Sequence, residues 1–356
     1  MTLIQTNPRS RDLAFAQRLK SRTDNDSEYW SFRWDAKRHH AHALFQYPAM
    51  MVPQMLSRLL EDVTSMDPGI GQVCDPFVGS GTVLTEAMLL GLDFVGRDIN
   101  PLAVLLSRVK AGPFFMGTFA DRLDDVLGRA SKDKGMLVEA KFNGWRKWFD
   151  RGNAIGLSRI VRAIRRESQL WSRRFFWVAL AETVRLTSNS RTSTYKLHMR
   201  SREEPASRSV DPLKTFATIA ARNLDRMNCK VQLLHANDML ARGYYRGSVR
   251  IELGDSSSTR AGMKQELADL LVTSPPYGDN ESTVPYGQYS FLPLQWIDLD
   301  DIDQNIDNSI ICNTHSTDTR SLGGSRKGAL VDIKPVLEKS QSLTKYLTRR
   351  SRNQKG

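Results

Sequence analysis

Cysteine is scarce. The 356 residues hold three, Cys74, Cys229 and Cys312, far apart and odd in number, which leaves neither a disulfide framework nor a paired-cysteine metal knuckle. Long apolar runs are missing too. No stretch approaches the ~18 residues a membrane span needs, and Met1–Ser10 lacks the apolar centre of a signal peptide. Membrane and secreted classes are therefore excluded as expectations, and a reducing, cytoplasmic setting is expected. No internal repeat is visible, and no Gly-Lys-Ser/Thr follows any glycine-rich turn, so a nucleoside triphosphate loop is not indicated. Acid is short relative to base: 39 Asp and Glu against 51 Lys and Arg give a net charge of +12 and a pI near 9.7. Hydrophobic residues at 40% and charged residues at 25% are ordinary for a folded globular chain.

The excess base has an address. Between positions 141 and 210 stand 16 Lys or Arg and 5 acids, so this stretch carries +11 of the +12 and the remainder is close to neutral. A chain using base only for solubility would spread it. Concentration on one segment points to a polyanionic partner there, the alternative being a solvated helical lid.

Residues 1–40 are polar and read as a loosely attached extension. An apolar-periodic run through Met51, Met55, Leu59 and Leu60 predicts a helix. A short strand at 72–74 then leads into Asp75-Pro-Phe-Val-Gly-Ser-Gly-Thr82, a helix over 83–90 and a second strand over 93–96 ending in Arg97-Asp98. Asn100-Pro101 supplies an N-cap and a first-turn proline for the next helix. This is one βαβ unit. From 113 to about 247 helical patterns dominate. Ile160, Ile164, Trp171, Phe175 and Val178 fall on one face of a predicted amphipathic helix, with Arg162, Arg165, Arg166 and Arg173 opposite. Strands are predicted again at 249–253, ending in Gly254-Asp255, and at 270–273, running into Ser274-Pro-Pro-Tyr277. Between them a helix is expected from about Ala261. Beyond Tyr277 the chain reads as irregular for some 50 residues, Asp298–Asp307 as a solvated acidic loop, and Lys334–Arg350 as a terminal helix.

Two constellations carry chemistry. Gly79 and Gly81 allow a sharp turn and close backbone approach at the carboxyl end of a strand, where open α/β sheets bind nucleoside cofactors. Asp98, 23 residues past Asp75, suits the hydroxyls of a ribose. A carboxylate before the turn suits an ammonium better than a pyrophosphate, which points to S-adenosyl-L-methionine (SAM) rather than a dinucleotide. A glycine-rich turn without ligand is the alternative reading. In Ser274-Pro-Pro-Tyr277 the two prolines remove N–H donors and stiffen the backbone, leaving carbonyl acceptors beside an aromatic ring. Such a display can hold the amino group of a nucleobase taken out of its helix. The alternative is a proline turn with a buried tyrosine. His39, His40 and His42 have no partner ligands at metal-binding spacing and read as solvated or phosphate-facing, so no metal is expected.

Together the octapeptide and Thr273–Tyr277 resemble the DPFxGSGT and TSPPY motifs of the SAM-dependent DNA amino-methyltransferases, which act on N4 of cytosine or N6 of adenine. The matched pieces, 42–112 and 249–290, cover about a third of the chain. The resemblance implies an α/β fold, a Rossmann-like methyltransferase sheet interrupted by a large helical basic insert. It divides the chain into an extension (1–40), a first core part (41–112), the insert (113–247) and a second core part with the catalytic motif (248–356). It places Tyr47, Asp75, Phe77, Gly79, Gly81 and Thr82 at the methionine end of the cofactor, Asp98 at the ribose and Asp255 at the adenine. It assigns Ser274, Pro275, Pro276 and Tyr277 to the target base. Serine at 274 is typical of the N4-cytosine branch, and no Pro-Cys motif supports C5 chemistry. Arg162, Arg165, Arg166, Arg173, Arg191, Tyr195, Lys196 and Arg200 are the candidate contacts to double-stranded DNA, although the family's usual placement of the insert is followed only loosely. RNA amino-methylation and a non-catalytic DNA-binding remnant are the competing readings. Strands are expected near Val73, Phe94, Ile251 and Leu271, where seven are usual, so the second half of the sheet reads as short or incomplete. A second chain completing the core, or a cognate restriction endonuclease, is the expected protein partner.

Overall fold

The structure, a computed structural model, describes residues 8–33, 38–140, 142, 144–200, 210–256, 268–276, 284–321 and 333–353. The four expected strands are present: β1 (Gln72–Asp75), β2 (Asp93–Asp98), β5 (Val249–Leu253) and β6 (Leu270–Leu271). They form one parallel sheet in the order β5-β2-β1-β6. The register pairs Val73 with Phe94, Gly96 with Ile251 and Cys74 with Leu271. Because every strand runs the same way, their carboxyl ends share one rim. The order reverses at β1, with β2 on one side and β6 on the other, and that reversal opens the crevice in which such sheets hold ligands.

Local chemistry fixes the connections. Gly79 (φ 51°) and Gly81 (φ 74°) adopt left-handed conformations that L side chains resist, and the chain turns through them into α3 (Thr82–Leu89). A Cβ at Gly81 would also meet Ser107 Oγ at 2.9 Å. Asn100 caps α4 (Pro101–Ala111), its side chain accepting the Leu102 N–H at 3.0 Å.

The central region is helical, as expected: α5 (Met116–Lys132), the short α6 (Trp145–Trp148), α7 (Arg151–Arg165), α8 (Leu170–Thr187) and α9 (Pro212–Ala236). These helices share their core with the sheet. One apolar cluster runs from Val73 and Phe94 through Leu102–Leu106 to Phe176, Trp177 and Phe216. A small hairpin, β3 (Leu240–Ala241) with β4 (Tyr244–Tyr245), precedes β5. No helix among the described residues is long and apolar enough to cross a membrane.

Several expectations change. The amphipathic pattern from Ile160 to Val178 spans two helices, broken at residues 166–169; a 3.6-residue period continues across a tight corner when both helices face the same core. The polar extension contains α1 (Pro8–Asn25), docked on α2 (Pro53–Met66) by Arg18 and Arg22 bonding to the buried Asp62 at 2.6 and 2.9 Å. Past Tyr277 the chain forms α10 (Tyr286–Leu294) and α11 (Ser316–Ser321), and Asn308–Ile311 is a 3-10 turn. The terminal helix divides at Ser340 into α12 (Lys334–Lys339) and α13 (Gln341–Asn353). The helix expected from about Ala261 falls on residues 257–267, which lie outside the described residues.

The acidic loop is not simply solvated. Asp301 accepts two bonds from Arg173 at 2.8 Å and one from Trp177 Nε1 at 2.7 Å, while its carbonyl accepts from Arg174. Asp298 receives a bidentate Arg165, and Asp303 receives Arg108. Arg162 reaches Asp133 at 2.7 Å and Glu139 at 3.3 Å. Trp177 is fully buried, so Asp301→Ala strands its indole N–H as well as the Arg173 charge. A loss of about 3 kcal/mol of unfolding free energy is expected in urea. Lys20→Ala, which breaks an exposed pair with Asp24 within α1, is expected to leave the midpoint unchanged.

Candidate active site

At the rim of the sheet lies a cavity of about 190 Å³ whose walls come from every segment that ends there. The turn after β1 contributes Phe77, Gly79, Ser80 and Thr82; β2 contributes Asp98; the end of β5 contributes Gly254 and Asp255. The chain after β6 contributes Ser274 and Pro276, and the segment before α2 contributes Tyr47 and Met50. Two motifs nearly 200 residues apart in sequence thus face the same space, because parallel pairing of β1 with β6 places their carboxyl ends side by side.

Asp98 anchors one wall. Its Oδ2 accepts the Gly79 N–H at 2.8 Å and its Oδ1 the Asn100 N–H at 2.8 Å, so it fixes the glycine turn while lining the cavity. Burial pushes its carboxyl up to about 6. Asp75 lies behind the wall rather than in it, fully buried. Its Oδ1 accepts the Thr273 hydroxyl at 2.6 Å and the Phe77 N–H at 3.0 Å, which binds the first motif to the second. Its Oδ2 is buried without a hydrogen-bond partner. Burial raises this carboxyl to about 7, partly offset by the Thr273 and Phe77 bonds. An orphaned carboxylate oxygen beneath a glycine turn fits a cationic ligand group.

Tyr47 is buried at the opposite wall, stacked on Tyr286 with ring centroids 5.9 Å apart. Its hydroxyl accepts from Asn100 Nδ2 at 3.1 Å, and the same amide donates to Ser290 Oγ at 2.8 Å. Asn100 therefore joins β2, the Tyr47 segment and α10.

Of the expected cofactor residues, Tyr47, Phe77, Gly79, Thr82, Asp98 and Asp255 line the cavity, whereas Asp75 and Gly81 shape it from behind. Ser274 and Pro276 line it and Pro275 stands exposed beside it; Tyr277 lies outside the described residues. Sequence reading missed Ser256, Thr317, Arg320 and Ser321, and took Asn100 only as a cap. No motif marks 317–321; these residues reach the cavity through packing of α11 on α10. Tyr286, in the stretch expected to be irregular, is instead the first residue of α10.

The candidate DNA contacts divide. Arg162, Arg165 and Arg173 are committed to the protein's own carboxylates, which sequence periodicity had turned outward. Arg166 is exposed at the end of α7. Arg191, Tyr195, Lys196 and Arg200 belong to a loop closed by the Ser190–Met199 bridge and by Arg191 N–H to the His198 carbonyl at 2.8 Å. This loop leans on α10: Leu197 N–H reaches Gln288 at 3.2 Å, and Tyr195 meets Tyr289 edge-on at 5.7 Å.

Residues 3–108 match a family model described as a DNA methylase. The chain is 29% identical over 343 residues to the Type II methyltransferase M.MvaI of Kocuria varians, covering 94% of this chain and 72% of that protein. It is 28% identical over 104 residues to the Type II methyltransferase M.MjaII of Methanocaldococcus jannaschii, covering 29% and 19%. No solved structure matches. The chain is thus similar to DNA methyltransferases, through the family model over residues 3–108 and through one relative over most of its length.

The two raised carboxyls have a stability consequence. Each binds its proton more tightly folded than unfolded, so their cost is absent below the unfolded value near 3.8, grows as pH rises and is complete above about 7. In Asp75→Asn, the melting temperature relative to the parent chain is expected to climb between pH 5 and 7 and hold steady above 7.5. Melting curves that differ by the same amount at every pH would contradict this.

Proposed function

We propose that this chain transfers a methyl group from SAM to an exocyclic amino nitrogen of a base in double-stranded DNA, N4 of cytosine in preference to N6 of adenine. The observation that carries the reading is the shared cavity: Ser274 and Pro276 face the same space as Gly79 and Asp98. SAM, when bound, supplies an electrophilic methyl group on a sulfonium centre. Asp98 is suited to its ribose hydroxyls and Asp255 to its adenine, while Asp75, buried behind the glycine turn, adds negative potential toward its ammonium without touching it. The Ser274 hydroxyl and Pro275 carbonyl are acceptors for the hydrogens of the target amino group, and Tyr277 is the stacking surface for the extruded base. Positioning, with no covalent nucleophile, provides the rate enhancement. Serine at 274 favours cytosine.

Arg166 and the 188–200 loop are the proposed contacts to duplex DNA, with Arg191, Lys196 and Arg200 on phosphates and Tyr195 toward the bases. Arg162, Arg165 and Arg173 act through the fold, holding α7 and α8 to the acidic segment. The two relatives named Type II methyltransferases support a place in restriction-modification, with a cognate endonuclease as partner in the system. A second observation bears on protein partners. Among the described residues β6 has two residues and stands at the edge of the sheet, and Leu271 on it is 65% exposed. A chain adding strands to this edge is the partner such a surface favours.

With tritiated SAM and duplex DNA, label is expected on cytosine. Tyr277→Ala is expected to lower transfer about a hundredfold or more while SAM still binds. Labelling of tRNA in preference to DNA would select the RNA reading. A chain that binds SAM yet labels no nucleic acid, alone or with its neighbouring gene product, would overturn the proposal.

A further inference from the structure

Of the three histidines before α2, which read from sequence as solvated or phosphate-facing, His39 is exposed, but His42 is buried and His40 half-buried. His40–Ala43 forms a 3-10 turn packed against α3 and α9. His42 is 1% exposed, and its Nε2 lies 2.6 Å from Oε1 of Glu86, a buried residue of α3 and 44 positions away in the chain. His40 sits beside it, ring centroids 4.7 Å apart. The His42–Glu86 hydrogen bond leaves the Nδ1 atoms of both imidazoles buried without a partner. Buried ring nitrogens are normally paired, and two orphans beside a carboxylate point to a missing ligand. One donor atom from each of the three groups lies within 4.8 Å of the other two, the one such set among the described residues.

We propose that His40, His42 and Glu86 bind a divalent transition-metal ion of the zinc type. Two imidazoles and a carboxylate suit a borderline cation, with a fourth position open to water. Ligands held at about 2.1 Å around a tetrahedral ion stand roughly 3.4 Å apart, so closing the set requires side-chain shifts on the order of 1 Å. The ion ties the turn leading to Tyr47 onto the helix that begins at the Gly79–Gly81 loop, and so braces two walls of the cavity from behind. Lys110 and Lys230 are buried nearby, Lys230 Nζ donating to the Lys110 carbonyl at 2.6 Å. Positive charge on either lysine opposes a cation at Glu86 through space. The site does not depend on the methyl-transfer reading.

The test is metal analysis of the full chain, purified without a histidine tag, equilibrated with zinc sulfate and desalted, followed by cobalt(II) titration monitored by visible absorption. One equivalent of zinc per chain is expected, with cobalt giving the bands of a four-coordinate site. His40→Asn changes only the half-buried ligand and should keep native circular dichroism while weakening cobalt affinity about tenfold or more. Lys230→Met removes a positive charge at nearly constant volume and should tighten cobalt binding. A parent chain that retains no zinc and develops no cobalt bands would overturn the proposal, as would cobalt affinity unchanged in folded His40→Asn.

Discussion

The hydrogen bond from the Thr273 hydroxyl to the buried Asp75 Oδ1, 2.6 Å long, is the constraint on which the site depends. It joins the end of β1 to the end of β6 across the point where the sheet order reverses. On one side of it the chain turns through Gly79 and Gly81 under the hold of Asp98; on the other it runs into Ser274 and Pro276. The carboxylate that makes this bond is held in an environment that disfavours its charge, and its second oxygen has no partner within the protein. A fold optimised for stability alone would place a neutral side chain there. The costly carboxylate is tolerated behind the glycine turn, where it ties the end of β1 to Thr273.

Much of the sheet and the cavity was legible in the sequence because both rest on local signals. The strands near Val73, Phe94, Ile251 and Leu271 are apolar runs bounded by glycine or acid, and the glycines of the turn declare their backbone conformation by composition. Asp98 and Asp255 could be placed since each directly follows its strand. What stayed hidden depends on contacts between distant segments. Asp75 was read as a wall residue, yet its burial behind the turn follows from pairing with Thr273, almost two hundred positions on. Asn100 looked like a helix cap and also links Tyr47 to Ser290. The polar composition of the histidine segment gave no sign that Glu86, from the far side of the glycine turn, would meet it in the interior.

Charge shows the same limit in another form. The localised base is real as composition, but composition counts guanidinium groups without saying which are occupied. Arg165 and Arg173 close onto Asp298 and Asp301, acids more than a hundred residues downstream that looked like a solvated loop. The basic helices are thereby fastened to the chain that follows Ser274-Pro-Pro-Tyr277. Of the remaining candidate contacts, Arg166 lies at the end of α7 and the others in the 188–200 loop, and this loop touches α10, whose first residue, Tyr286, stacks on Tyr47 in the cavity. Through that contact a nucleic acid held by the loop would lie against the element that shapes the cavity.

Calorimetric titration of the full chain with SAM tests the central claim most directly. The account predicts a saturable one-site isotherm, weakened about tenfold or more in Asp98→Ala with circular dichroism unchanged. Heats of dilution alone from the folded parent chain, or an isotherm indifferent to Asp98, would contradict it.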